Sequence, residues 1–187
     1  MIYGLTGLLG AGKGEVARIL VQSARCRVFL MSDELRALMC KRGLKITRVS
    51  LQDFATESRR TKGDGFIAES LAKKIGAANA RCAVVDGIRN PAEVRVFRRA
   101  FGNNFKLVGV VAPLKVRFAR ARKRGREAEA KTLAAFRESD RREAKSEGFG
   151  IAACVKLADA TVRNGASLRL LRARVRSILE QDRVLGD

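Results

Sequence analysis

Short apolar runs alternate along this chain with stretches whose apolar residues fall three or four positions apart. The first pattern predicts buried strands and the second amphipathic helices. Residues 2–5, 27–31 (R-V-F-L-M), 83–86 (A-V-V-D), 105–111 (F-K-L-V-G-V-V) and 160–162 read as strands. Helical spacing covers 15–22 (Val16, Ile19, Leu20), 34–41 (Leu35, Leu38, Met39), 50–60 (Leu51, Phe54, Ala55) and 65–75 (Phe66, Ile67, Leu71, Ile75). Gly43 closes the second of these, and Gly63-Asp64-Gly65 separates the last two. Pro91 opens a helix to about Phe101, and Ser167 caps a last one to Gln181 through Leu168, Leu171, Val175 and Ile178. From Pro113 a basic stretch runs to Lys145. In it Val116, Phe118 and Ala119 alternate with Arg117, Arg120, Arg122, Lys123 and Arg124; Gly125 breaks it, and a second helix covers 132–144. Strands alternating with helices predict one α/β domain whose parallel sheet is covered on both faces.

The first strand leads into G-L-L-G-A-G-K-G-E, residues 7–15. Strand, glycine-rich loop and helix in succession are the context of a phosphate-binding loop. Glycines let the backbone come close to a ligand. Loop N–H groups and the helix N-terminus then favour an anion. Gly7, Leu8, Leu9, Gly10, Ala11, Gly12, Lys13, Gly14 and Glu15 are therefore the candidate phosphate cradle. The spacing G-x-x-x-x-G-K is met by Gly7, Gly12 and Lys13, while Gly14 stands where Ser or Thr is usual.

Two other strand ends carry acids. In a parallel sheet with helical crossovers, ligands collect at the C-terminal ends of the strands. Ser32 and Asp33 follow the second strand; either is a candidate helix cap, and Asp33 and Arg36 fall near the phosphate loop by topology. Asp86 ends the third strand in D-G-I-R, where a carboxylate can hold Mg²⁺ through water. Gly87 permits close approach, and Arg89 points back to the phosphates. Arg59 lies near the Gly63 break, within reach of an anion.

Composition narrows the chemistry. The chain has 187 residues, 47% of them hydrophobic, enough for one domain with a real core. No apolar run approaches the roughly 20 residues of a membrane span. A strand starting at Ile2 and feeding the loop argues against a cleaved leader. With no histidine, histidine bases and His-based zinc sites are excluded. Cys26, Cys40, Cys82 and Cys154 are far apart, which predicts reduced, mostly buried thiols and a cytoplasmic setting. The formal charge of +20 predicts attraction to polyanions. It has two readings: arginines for a nucleotide on a solvated surface, or association with RNA or the ribosome. The absence of Trp and of any aromatic–basic motif favours the first.

Several motifs carry a family resemblance. G-x-x-G-x-G-K-G resembles the loop of adenylate kinase, where a Thr usually follows and Glu15 stands here. D-E-L-R (33–36) resembles its D-x-L-R, and D-G-I-R (86–89) its D-G-x-P-R with the arginine one position earlier. The basic stretch from Pro113 is placed like its lid, and it contains K-R-G-R-E (123–127) and D-R-R-E (140–143). In this order, with M-S-D-E-L-R and V-V-D-G-I-R, they resemble an archaeal-type family related to adenylate kinase and dephospho-CoA kinase.

The resemblance implies a three-layer P-loop NTPase fold of the nucleoside monophosphate kinase type, with five parallel strands. It implies one domain over 1–187: a core of 1–33, 80–112 and 150–187, an acceptor-binding helical insert at 34–79 and an arginine-rich lid at 113–149. Lys13 and the loop would hold ATP. Arg36, Arg59 and Arg89, with Ser32, Asp33, Asp86 and Gly87, would hold the acceptor. Arg120, Arg124 and Arg141 would stabilise the transferring phosphoryl group; Arg120 and Arg124 match the lid's leading arginines, and Arg137, Arg141 and Arg142 match its return arginines only loosely. Asn164 and Gly165 would lie against adenine. Mg²⁺ would be ordered by Asp86, by Asp33 through water and, weakly, by Glu15. The implied activity is ATP-dependent transfer to a nucleoside monophosphate by a monomer without a membrane partner. One alternative is transfer to a hydroxyl, as in dephospho-CoA kinase, with Asp33 as base. Another is an ATPase switch that binds RNA or a ribosomal protein.

Overall fold

A computed structural model describes residues 1–125, 132–145 and 150–184. In chain order it contains β1 (Ile2–Thr6), α1 (Lys13–Ala24), β2 (Arg27–Leu30), α2 (Met31–Cys40), α3 (Arg48–Lys62), α4 (Phe66–Ala77), β3 (Ala83–Ile88), α5 (Pro91–Phe101), β4 (Phe105–Val111), α6 (Leu114–Arg124), α7 (Leu133–Lys145), α8 (Ile151–Lys156), β5 (Ala160–Arg163) and α9 (Leu168–Val184). The five strands form one sheet in the order β2-β3-β1-β4-β5, with every pair parallel.

Because strand side chains alternate between faces, each strand feeds two cores. On one face Val85 and Leu107 pack with Ile67, Leu71 and Ile75 of α4 and with Val94 and Phe97 of α5. On the other, Tyr3, Leu5, Val84 and Val108 pack with Val16, Ile19 and Leu20 of α1 and with Leu171 and Val175 of α9. Helices α1 and α5 therefore leave the neighbouring strands β1 and β3 toward opposite faces. That divergence opens a crevice at the C-terminal ends of β1 and β3, where Lys13 and Asp86 lie.

Several expectations are corrected. The second strand is not a buried run to Met31. It stops at Leu30 on the sheet edge, with Val28 and Leu30 exposed, because it has a partner only in β3. Met31 already begins α2, so Ser32 and Asp33 lie inside its first turn. Leu30 occupies the N-cap and no side chain caps the helix. Helix α4 does lie with α2 and α3 between β2 and β3, and it packs its buried face on the main core. The short helix α8 has no clear signature in sequence; its buried Ile151 and Cys154 are too few to show a period.

The cysteine expectation fails for two of four. Cys26 and Cys82 form a disulfide across 56 residues. The register explains it: Arg27 pairs with Ala83, so the residues before them enter neighbouring strands side by side. Cys40 is exposed and Cys154 buried, both as free thiols. Burial, and then the charge of Glu93, pushes the Cys154 thiol up to about 11, so it stays protonated and inert. Among the described residues no helix is long and apolar enough to cross a membrane.

Candidate functional site

The loop after β1 bends through left-handed backbone at Gly10 (φ 75°) and Gly12 (φ 96°) before Lys13 starts α1. A side chain at Gly10 would place its Cβ 2.6 Å from the carbonyl oxygen of Arg117, and one at Gly12 would run into Asn164. Close packing behind the loop, as well as room for a ligand in front, therefore demands these glycines. Ala11 N donates to Leu8 O at 3.2 Å, closing the turn. Lys13 Nζ folds back on the loop, donating to Gly7 O at 2.6 Å.

Three polar side chains brace the loop from behind. Asn164 is buried and its Nδ2 donates to Ala11 O at 2.9 Å. Arg120 donates to Ala11 O at 3.4 Å and to Asn164 Oδ1 at 3.2 Å. Arg117 donates from Nη1 to Leu9 O at 3.2 Å and from Nε to Ala112 O at 3.1 Å. Its guanidinium also forms a two-pronged pair with Asp140 of α7, 2.8 Å at Nη1–Oδ1. Phe136 closes over Arg117 at 5.6 Å from its ring centre. The apolar pattern misplaced α6: Arg117 and Ala121 are its buried positions, and Ala119 is exposed. The lone buried arginine among the described residues gave no sequence signal, because arginine is expected outside.

Across the crevice stands Asp86. Burial raises its carboxyl above the ordinary 3.8, and the charges of Lys13 and Arg89 oppose that rise. Its Oδ1 is buried and has no hydrogen-bond partner among the described residues. That atom fits a metal's water. No group of three or more acidic, cysteine or histidine side chains converges among the described residues. A cation would thus find one carboxylate, water and phosphate oxygens, the surroundings Mg²⁺ accepts. Glu15 instead pairs with Arg18 at 3.0 Å, and that hydrogen bond lowers its carboxyl.

Glu93 is buried beside the β3 end and accepts from the backbone N–H of Arg89 (2.8 Å) and Asn90 (3.1 Å). Burial raises its carboxyl, against the pull of Arg59 and Arg89. The charges of Arg59, in the last turn of α3, and of Arg89 are thus both felt at this carboxylate. Arg36 is held elsewhere, paired with Asp33 at 2.8 Å on the exposed side of α2. Ser32 is exposed beside it, and Gly87 (φ 101°) lets β3 turn past Met31.

The lid arginines divide. Arg120 belongs to the loop's bracing. Arg124 is exposed at the end of α6, and Arg141 is exposed with Glu138 at 3.8 Å. Arg137 is exposed on α7. Arg126 and Glu127 of the K-R-G-R-E motif, and the side chains of Arg142 and Glu143, lie outside the described residues. Asn164 contributes its side chain to the loop, and Gly165 packs on Pro113. Gly12, Glu15, Arg120, Asn164, Ala166 and Leu168 are among the residues lining a cavity of about 180 Å³ beside the loop.

A parallel sheet in this strand order, with a glycine loop and lysine after β1 and a half-buried Asp near the end of β3, is the α/β fold of P-loop kinases. Crystal structures of TT1252 from Thermus thermophilus (16% identity, TM-score 0.63, 97% of each chain) and of shikimate kinase from Aquifex aeolicus (15%, 0.55, 100% of each) share that fold. The AAA domain family model matches residues 6–137. A UPF0200 protein of Pyrococcus horikoshii is 33% identical over 184 residues, covering 97% of both chains. Another, of Methanosarcina mazei, is 32% identical over 178 residues, covering 95% of this chain and 93% of that one. The chain belongs to the AAA domain family and to the UPF0200 proteins.

Proposed function

We propose that this protein transfers the γ-phosphate of ATP to a nucleoside monophosphate. The observation that carries the reading is the pairing across the crevice. Lys13 and the glycine loop stand on one side, and Asp86, with a buried unpartnered oxygen, on the other. Gly12 and the first turn of α1 offer N–H groups to the polyphosphate, and Lys13 turns from its carbonyls to the β- and γ-oxygens. Asp86 would hold Mg²⁺ through water, and the ion would neutralise phosphate charge. Arg59 and Arg89, whose charges act on Glu93, bind the acceptor's phosphate, and Arg36 joins them once it leaves Asp33. Arg124 and Arg141 approach from the lid as charge develops. Catalysis is positioning and electrostatics, so an already anionic acceptor needs no base.

A second reading rests on Asp33. Asp33 is exposed on the first turn of α2; a carboxylate there repels an anionic acceptor, yet it can take a proton from a hydroxyl. Then Asp33→Asn nearly abolishes transfer, whereas phosphate transfer falls less steeply.

The test is ADP release from MgATP with a panel of nucleoside monophosphates and dephospho-CoA, with Lys13→Ala as control. Strong stimulation by one monophosphate, yielding its diphosphate, supports the first reading. Stimulation by dephospho-CoA alone supports the second. Slow hydrolysis with no stimulation sinks both and turns attention to an RNA or protein partner, which the charge of +20 suits.

A further inference from the structure

Arg117 is expensive as a structural residue. It is a buried cation that spans three separate segments: the Leu9 carbonyl of the loop, the Ala112 carbonyl after β4, and Asp140 on α7. A buried ion pair adds little to stability compared with apolar side chains of the same size, so stability does not explain it. Its position does. No cis peptide bond occurs among the described residues, and in a trans peptide the C=O and the following N–H point opposite ways. Holding the Leu9 carbonyl toward Arg117 therefore turns the Gly10 N–H to the other side of the loop. Asn164 and Arg120 treat the Ala11 carbonyl likewise, which turns the Gly12 N–H away from them. The intervening N–H, of Ala11, is already used within the turn. The bracing thus sorts the loop: carbonyls behind, alternate N–H groups in front.

We propose that Arg117, locked by Asp140, is a positioning residue for phosphate binding, and that it couples docking of α7 to the shape of the loop. The proposal rests on the nucleotide reading above. Asp140 fixes the guanidinium plane with two contacts, which leaves the remaining reach of Nη1 for Leu9. Undocking α7 removes Asp140 and Phe136 together, frees Arg117 to leave Leu9, and lets the Leu9–Gly10 peptide rotate. The same helix carries Arg137 and Arg141. A ligand that needs the Gly10 N–H therefore favours the state in which those arginines are docked, and by linkage docking strengthens binding.

The test uses the whole chain, Arg117→Met and Asp140→Asn, and three probes: MgATP, inorganic tripolyphosphate and adenosine. Losing one charge-assisted contact on the loop predicts about tenfold weaker binding of MgATP and of tripolyphosphate in each variant. Adenosine binding stays unchanged, and the double variant is no weaker than either single one, since both break the same latch. Circular dichroism and melting show whether each variant is folded. If Arg117→Met does not fold, Asp140→Asn carries the test, because it keeps shape and one acceptor. Folded variants that bind tripolyphosphate like the parent overturn the proposal, as does equal weakening for all three probes, which marks a general structural defect. If the parent binds neither MgATP nor tripolyphosphate, the nucleotide reading itself fails and this inference falls with it.

Discussion

The two sides of the crevice are built differently. The donor side is braced from behind: Arg117, Arg120 and Asn164 hold three successive stretches of the loop through backbone carbonyls. Those contacts are shielded, and each costs free energy if half of it is removed. On the acceptor side two carboxylates are enclosed, Glu93 at the start of α5 and Glu34 of α2, which accepts from Ser70 and Lys74, but Arg89 and Arg36 are exposed. Arg36–Asp33 and Arg60–Glu57 are exposed pairs within single helices, of the kind that solvent screens and that add little to stability. A fold that invests its buried polar contacts in the phosphate loop commits itself to the donor. On the proposed reading its acceptor is chosen mainly by surface side chains, which can change without disturbing the core.

That contrast can be attacked from the donor side first. Lys13→Ala should lower turnover by about a thousandfold, the scale of losing a donor aimed at developing charge, with no loss of melting temperature. Initial rates and thermal melts check both halves. Asp86→Asn should lower turnover by about a hundredfold. Its stability effect has the opposite sign. Burial raises the Asp86 carboxyl above 3.8, so the folded state resists its ionisation. The favourable contribution is present at low pH and is lost as pH rises through the folded-state value. Removing the charge should thus raise the melting temperature at neutral pH without ligand. It should also flatten the fall in stability above pH 3.8, which melts across a pH series would show. Arg36→Ala should be milder, raising the acceptor KM by roughly tenfold or less and leaving MgATP affinity alone. A change in MgATP affinity there would erase the distinction between the sides.

The smallest effect on turnover is expected at the opposite end of the sheet. Cys26→Ser opens a loop of 56 residues and should cost about 4 kcal/mol of unfolding free energy, with kcat and KM unchanged. Denaturant titration with and without reductant measures the cost.

How far the sequence could be read follows the same divide. Local patterns located the five strands, the glycine loop, the Gly63–Gly65 break and the Asn90–Pro91 helix start, because each is set by neighbours in the chain. What escaped reading depends on register and on distance. Cys26 meets Cys82 only because Arg27 pairs with Ala83. Val28 and Leu30 look buried by pattern, but edge position decides their exposure. The placement of Lys13 after β1 and of Asp86 on β3, the neighbouring strand, was legible, because the loop motif and the acid in the third strand are both local signals. Arg117 was hidden among basic residues of similar local appearance, and Asp140, although it opens the D-R-R-E run, gave no sign of its partner; only the packing of α6 on the loop brings them together.

The most direct test follows the γ-phosphate itself. ATP labelled there is mixed with excess enzyme, Mg²⁺ and the best nucleoside monophosphate, and the products are resolved within one turnover. The account predicts label in the nucleoside diphosphate, absent with Lys13→Ala. Label found only in inorganic phosphate, or transfer that survives Lys13→Ala, would contradict it.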